Sequence, residues 1–182
     1  HRLVKLDPQS NWETTAIQIP PELPQLSWPT GITFDPDNNR LLVSSLGGEG
    51  YLYSYSLDTE NWQAFSLNNV DLTSIVYHPE AKQLYALGVN YGRTKNLTLY
   101  RLSLKGEILE TIRLSDSILA ELPQFHQSYL KPQLIASRKD LILVSGQEKV
   151  FSKNATKTDN KLKIYTIAPE TKAIKLQWQE GN

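Results

Sequence analysis

Five consecutive residues, Asp35-Pro36-Asp37-Asn38-Asn39, crowd carboxylate and amide oxygens into one short stretch. Ca²⁺ prefers oxygen ligands of this kind. A helix-loop-helix calcium site, however, needs a glycine at its sixth position and a glutamate at its twelfth, whereas the apolar residues 41–43 interrupt this stretch. The same residue types are strong turn formers, and we therefore interpret the stretch as a turn.

The remaining polar residues carry no recognisable catalytic motif. The three histidines, His1, His78 and His126, lack the short spacing of a metal-binding pair. His78 occupies the turn position that corresponds to Asp35, which predicts a local turn role for it. The chain contains no serine elbow, Walker loop or dinucleotide fingerprint. Cysteine is absent, which excludes disulfides, thiol catalysis and cysteine-ligated metals, and is compatible with either side of a membrane.

Composition excludes two classes of partner. Lys+Arg and Asp+Glu number 19 each, so the formal net charge is zero. Nucleic-acid binding through phosphate neutralisation needs a basic surface, and none is indicated. No run of about 18 apolar residues exists, so the sequence predicts no membrane span. The sequons at Asn96 and Asn154 matter only in a secretory context.

The turn at residues 35–39 belongs to a pattern that occurs twice. Phe34-Asp35-Pro36 matches Tyr77-His78-Pro79, and Leu41-Leu42 matches Leu84-Tyr85, both 43 residues further along. In each copy a β-prone segment, a turn and an apolar run follow one another. A repeat of about this length is typical of propeller arrays.

The apolar runs distinguish a propeller from a sandwich. Residues 41–43, 84–87 and 141–144 are continuously apolar rather than alternating. A sandwich strand is apolar on one face only, whereas each propeller sheet packs between two neighbours. We therefore predict an all-β propeller of four-stranded antiparallel blades, with these side chains buried: Val43, Leu84 and Leu143.

The pattern predicts about three and a half blades, in a single propeller domain or partial propeller that covers residues 1–182. Residues 1–19 match the two outer strands of a blade, because Asn11-Trp12 corresponds to Asn61-Trp62. A proline-rich connection, residues 20–28, cannot lie inside a sheet. Complete blades follow at residues 28–67, 71–114 and 133–178, which gives fourteen strands in total.

The segment Pro29-Thr-Gly-Ile-Thr-Phe-Asp-Pro-Asp-Asn-Asn-Arg-Leu-Leu-Val43 resembles the blades of NHL, YncE-like and SdiA-regulated β-propellers. The Trp-Asp dipeptide of WD40 repeats is missing, and so is the pattern of paired glycines and tryptophan that is typical of kelch repeats. Propellers of the resembled kind have about six or seven blades. The resemblance therefore implies that this chain forms part of a ring.

In propellers the connections between the second and third strands, and those between blades, emerge at one end. Here they are the long segments, namely residues 20–28, 47–50, 88–96, 115–132 and 146–160. Long loops on a rigid scaffold commonly carry function. Aromatics outside the strands, such as Trp28, Tyr91 and Tyr129, favour binding to sugars, peptides or proteins, although covering the blade ends is the simpler role for them. We predict these ligand-binding residues: Trp28, Glu49, Asn90, Tyr91 and Arg93.

Two functions are compatible with the sequence. The first is a non-catalytic module that binds a protein, small molecule or carbohydrate, without a cofactor. The alternative is a Ca²⁺-dependent hydrolase, because lactonase-type and phytase-like propellers hold calcium with carboxylates and amides around the channel. Glu49, Asp71 and Asn90 are expected in loops that could face such a channel, although surface solvation is the favoured explanation for them. A melting temperature raised by ~1 mM Ca²⁺ would favour the hydrolase.

The outer strands at residues 1–19 have no predicted inner partners, and only four residues follow Trp178. Methionine is absent, including at the first position. We therefore expect further blades from a longer parent chain or, alternatively, from a second chain.

Overall fold

A computed structural model describes residues 3–47, 50–90, 94–114, 133–145 and 162–179. These residues form fourteen antiparallel strands in one two-stranded and three four-stranded sheets. The half-sheet contains β1 (Leu3–Asp7) and β2 (Glu13–Ile17). Sheet 1 contains β3 (Trp28–Asp35), β4 (Arg40–Leu46), β5 (Tyr51–Ser56) and β6 (Trp62–Ser66).

Sheets 2 and 3 repeat the order of sheet 1, with each strand paired to the next along the chain. Sheet 2 contains β7 (Val70–His78), β8 (Gln83–Asn90), β9 (Thr94–Leu102) and β10 (Ile108–Ile112). Sheet 3 contains β11 (Gln133–Ala136), β12 (Leu141–Ser145), β13 (Lys163–Ala168) and β14 (Ala173–Gln179). The prediction of four-stranded antiparallel blades is confirmed.

The second strand of each complete sheet is buried as its continuous apolar sequence predicts. Val43, Leu84 and Leu143 are each 0% exposed, which confirms the prediction. In β4, Leu42 packs towards sheet 2, whereas its neighbour Val43 packs in the cluster shared with the half-sheet. Successive side chains of a strand point to opposite faces, so both faces of β4 are covered.

The first strands of the sheets lie against one another, and this edge is the inner side of the array. The backbone N–H of Tyr77 donates to Thr33 Oγ1 at 2.9 Å, and that of Leu134 donates to Ser74 Oγ at 3.0 Å. At each interface, a hydroxyl on one first strand thus accepts an N–H from the next first strand. These bonds set the position of each sheet relative to its neighbour.

The half-sheet differs from the predicted pattern at its turn. We expected a strand to start at Asn11-Trp12, as one does at Trp62, but β2 starts at Glu13. Asn11 and Trp12 have φ values of 55° and 64°, which is the left-handed region and ends strand geometry. A 3₁₀ turn at Pro8–Ser10, capped by the Asp7 carboxylate, directs the chain into this conformation.

Within the described ranges, no helix is long and apolar enough to cross a membrane.

Candidate functional site

The sheets have two distinct ends. The turn end carries the short connections between first and second strands, at residues 36–39 and 79–82. The loop end is the opposite one, where β3 and β7 begin and where β4 and β8 finish. We predicted that the ligand-binding residues lie at the loop end.

Trp28 starts β3, pairs with Leu46 at the loop end and is 60% exposed. Asn90 ends β8 and pairs with Val70, so its backbone lies at the same end. The Asn90 side chain falls outside the described part of the molecule, as do Glu49, Tyr91 and Arg93. The binding role of all five residues stays a prediction.

Asp71 does not lie in a loop, as we had expected, but within β7. The residue is 2% exposed, and its Oδ2 accepts the backbone N–H of Gly47 at 3.0 Å. A buried N–H needs an acceptor, and a carboxylate is a strong one. Asp71 therefore ties the segment after β4 to sheet 2, and so holds the loop end beside Trp28.

Two further threonines hold the backbone in place at the loop end, and no sequence motif marked them in advance. Thr30 and Thr73 each sit at a β-bulge in the first strand, at equivalent positions of sheets 1 and 2. Thr30 Oγ1 donates to the carbonyl of Leu72 at 2.6 Å, and Thr73 Oγ1 donates to that of Leu87 at 3.2 Å. Their shared 43-residue spacing was the available signal.

The turn at residues 35–39 is confirmed, and its carboxylate is engaged within the protein. Asp35 is fully buried and accepts from Arg40 Nε at 2.9 Å, Asn38 Nδ2 at 2.8 Å and the Asp37 backbone N–H at 3.2 Å. Arg40 also donates to the carbonyl of Leu104 at 2.7 Å. These bonds stabilise the turn and link sheet 1 to sheet 2.

The turn role predicted for His78 is also confirmed, since its Nδ1 accepts the backbone N–H of Ala81 at 3.2 Å. His1 and His126 lie outside the described residues. No group of three or more metal-binding side chains occurs within the described residues.

A second contact at the turn end joins Asp37, Tyr77 and Lys82. The Tyr77 hydroxyl donates to Asp37 Oδ2 at 3.0 Å, and Lys82 Nζ lies 3.2 Å from the same oxygen. The bond from Tyr77, followed by Lys82, lowers the pKa of Asp37. Burial, followed by the bond to Asp37, raises the pKa of Tyr77 to about 12.

This raised pKa predicts a loss of stability in alkali. The unfolded chain releases the Tyr77 proton near pH ~10, whereas the folded chain keeps it until pH ~12. The free energy of unfolding should therefore fall as the pH rises through this interval. Phenolate absorbance should show a late-titrating tyrosine in the folded protein that Tyr77→Phe lacks. A titration unchanged by Tyr77→Phe would contradict the assignment.

A polar cleft of about 370 Å³ opens between the half-sheet and sheet 1. Lys5 and Asp7 line it from β1, and Tyr55 and Glu60 line it from sheet 1. Burial, followed by the charge of Glu60, raises the pKa of Tyr55. Because these residues come from two sheets and share no motif, the sequence offered no signal for this cleft.

The inner half of sheet 1 has an uncovered apolar face, which we call face 1 and define by Ile32 and Phe34. These side chains are 54% and 45% exposed. Their equivalents in sheet 2, Ile75 and Tyr77, are 4% and 7% exposed because sheet 1 covers them. On this side of sheet 1, the half-sheet and the connection at residues 19–26 pack against Val43, Tyr53 and Trp62 but leave Ile32 and Phe34 exposed.

Sheet 3 has a second uncovered face, face 2, on the side away from sheet 2. Ile142 and Ile164 are half-buried, whereas their equivalents in sheets 1 and 2 are buried. Directly paired side chains share a face, which places Val144, Ile164 and Trp178 in one row across the sheet. Sheets 1 and 3 at the two ends of the array thus each expose an apolar face, whereas the faces between neighbouring sheets cover each other. Face 2 comprises Ile135, Ile142, Val144, Ile164 and Trp178.

Comparison with known proteins supports the fold. Over 82% of this chain, the structure is similar to hydrazine synthase of Kuenenia stuttgartiensis, with a TM-score of 0.56 and 13% identity. Over 91%, it is similar to a TolB-like protein of Agrobacterium tumefaciens, with a TM-score of 0.54 and 15% identity. The matches span 42% and 52% of those chains, so this chain covers about half the length of the structures it matches.

No protein-family model matches the sequence, and no curated protein matches it significantly. The structural neighbours are β-propeller proteins. The chain is thus an all-β propeller array with four-stranded antiparallel blades, of which it contains about three and a half.

Proposed function

We propose that this chain is a non-catalytic binding module whose ligand docks at the loop end. The observation that carries the proposal is Trp28, which is 60% exposed although it lies on a paired strand. A large aromatic side chain on a rigid strand loses little conformational entropy when it binds. The ligand class is a protein, a peptide or a carbohydrate, all of which aromatic side chains bind readily.

The anchoring of the loop end supports the same proposal. Asp71 accepts a hydrogen bond from the Gly47 N–H, and Thr30 near the start of β3 donates one to the Leu72 carbonyl. Binding residues held by such contacts need less ordering when a ligand arrives. We further propose that the repeats belong to the NHL, YncE-like and SdiA-regulated group, a proposal supported by the motif that begins at Pro29.

Trp28→Ala is expected to weaken binding by about tenfold or more, because aromatic anchors commonly dominate an interface. Defined oligosaccharide and peptide arrays would first identify a ligand, and titration calorimetry would then compare the variants. Trp12→Ala is a matched control, since Trp12 is similarly exposed, at 63%, but lies in the β1–β2 connection at the turn end. Equal affinities for wild type and Trp28→Ala would refute this site.

We also propose that the three and a half blades form part of a larger ring. Faces 1 and 2 support this proposal, because isolated apolar sheet faces promote association. The matched propeller chains, of which this chain covers about half, support it as well.

A further inference from the structure

The half-sheet lies at the position of the two outer strands of a blade. Leu3 and Ile17, together with Leu26 of the following connection, pack in one cluster with Val43, Tyr53 and Trp62 of sheet 1. Ile32 and Phe34 on β3 nevertheless remain exposed. Where a complete sheet precedes, as at the interface of sheets 1 and 2, Leu42 on the second strand packs in the same cluster as Ile75 and Tyr77. What the half-sheet lacks is therefore a first and a second strand, and the part of face 1 on β3 is left exposed.

The half-sheet also has an available edge on which a second strand could pair. In the complete sheets, the third strand pairs with both its neighbours, as β5 does with β4 and β6. The corresponding strand, β1, pairs with β2 alone among the described residues. A strand that pairs with the other edge of β1 would be the second strand of that sheet and would lie next to face 1. In the same way, β4 is the second strand of sheet 1 and packs against sheet 2.

A second copy of this chain would not supply these strands. Its three complete sheets already use their first and second strands, and its half-sheet has the same deficit. We propose that an antiparallel β-hairpin from outside these 182 residues completes the half-sheet. Its second strand pairs with β1, and its apolar side chains cover Ile32 and Phe34.

The two intact interfaces specify the chemistry of this hairpin. In both, a hydroxyl on the preceding first strand accepts a backbone N–H of the following one, as Thr33 accepts from Tyr77 and Ser74 from Leu134. The first strand of the hairpin therefore carries a serine or threonine towards the backbone of β3. The second strand of the hairpin is apolar on both faces, like β4. One face packs towards sheet 1, and the other extends the apolar surface that Val4 and Leu6 expose on the opposite side of the half-sheet.

The chain itself contains a suitable probe. A copy of residues 28–50, which include β3, β4 and the following connection, is placed directly ahead of His1, so that it leads into β1 as β4 leads into β5. Hydrogen exchange of the β1 amides is then compared between the fused and unfused proteins. The matched control fusion carries Leu42→Asp in the appended copy only.

We expect the fusion to slow exchange of alternate β1 amides at least ~tenfold, because the free edge becomes hydrogen-bonded, and the control fusion to leave exchange unchanged. Equal exchange in both fusions would overturn the proposal. So would protection that grows with concentration in the unfused chain, which would show that a second copy covers the edge. If the fusion fails to fold, a synthetic peptide of residues 28–46 added at ~1 mM provides the same comparison.

This inference rests on the proposal of a partial ring and not on ligand binding by Trp28. Loss of binding at the loop end with intact β1 protection would refute the binding module alone. Loss of β1 protection with intact Trp28-dependent binding would refute the hairpin alone.

Discussion

Replacing Ile75 by alanine is expected to lower the free energy of unfolding by about 2–4 kcal/mol, the usual cost of truncating a buried aliphatic side chain. Ile75 is 4% exposed and lies in the cluster between sheets 1 and 2. Its loss leaves a cavity in this cluster, which also contains Leu42 and Tyr77. Urea denaturation of the 182-residue chain would measure the change.

Ile32→Ala is the matched comparison, because Ile32 holds the equivalent position in sheet 1 but is 54% exposed. We expect it to cost less than about 1 kcal/mol, since most of the side chain contacts water in both states. Similar losses for the two variants would mean that face 1 is covered in the isolated chain, and would contradict the structure described above.

Asp35→Ala is expected to cost about 3–5 kcal/mol, because it leaves the charge of a buried ion pair without its partner. Arg40 is 13% exposed at its side chain and would lose the carboxylate at 2.9 Å while keeping its bond to Leu104. The Asp37 backbone and Asn38 would lose their acceptor as well. Thermal and urea denaturation would both register the change.

The control for this prediction is Asp37→Ala in the same turn. Asp37 pairs with Lys82, whose side chain is 67% exposed, and accepts a hydrogen bond from the Tyr77 hydroxyl. The surface ion pair contributes little, and losing this one hydrogen bond costs far less than leaving a buried charge unpaired. The Asp37 variant should therefore lose much less stability than the Asp35 variant. Comparable losses would show that turn formation, rather than the buried pair, is what Asp35 provides.

Much of the fold could be predicted from the sequence, because the repeated pattern indicates the inner strands of each blade and the turn between them. Residues 41–43 and 84–87 lie between two sheets, and such strands must be apolar on both faces. The position of Trp12 could not be predicted, because Asn11-Trp12 and Asn61-Trp62 share residue types but only the first pair adopts a left-handed turn. That difference depends on the 3₁₀ turn capped by Asp7.

The candidate site was less predictable than the fold. Trp28 could be placed at the loop end because it comes directly before the recognisable β-prone segment, although in the structure it is the first residue of β3. Asp71 was expected in a loop, and only the structure shows that it lies in β7 and accepts the Gly47 N–H. The residues that form faces 1 and 2 could be identified only from the strand pairing and the exposure of each side chain.

The division of β4 between two clusters has a consequence for how this sequence can change over evolution. Leu42 and Val43 are joined by a peptide bond, yet they pack in different interfaces, whereas Leu42 shares a cluster with Ile75 in the next sheet. Contacting side chains influence each other's substitutions, and separated ones act independently. A larger residue at position 42 must therefore be accommodated by a smaller one across the interface, not by its neighbour in the chain. Compensating pairs in this protein should link adjacent blades, so that each blade restricts the sequence of the next.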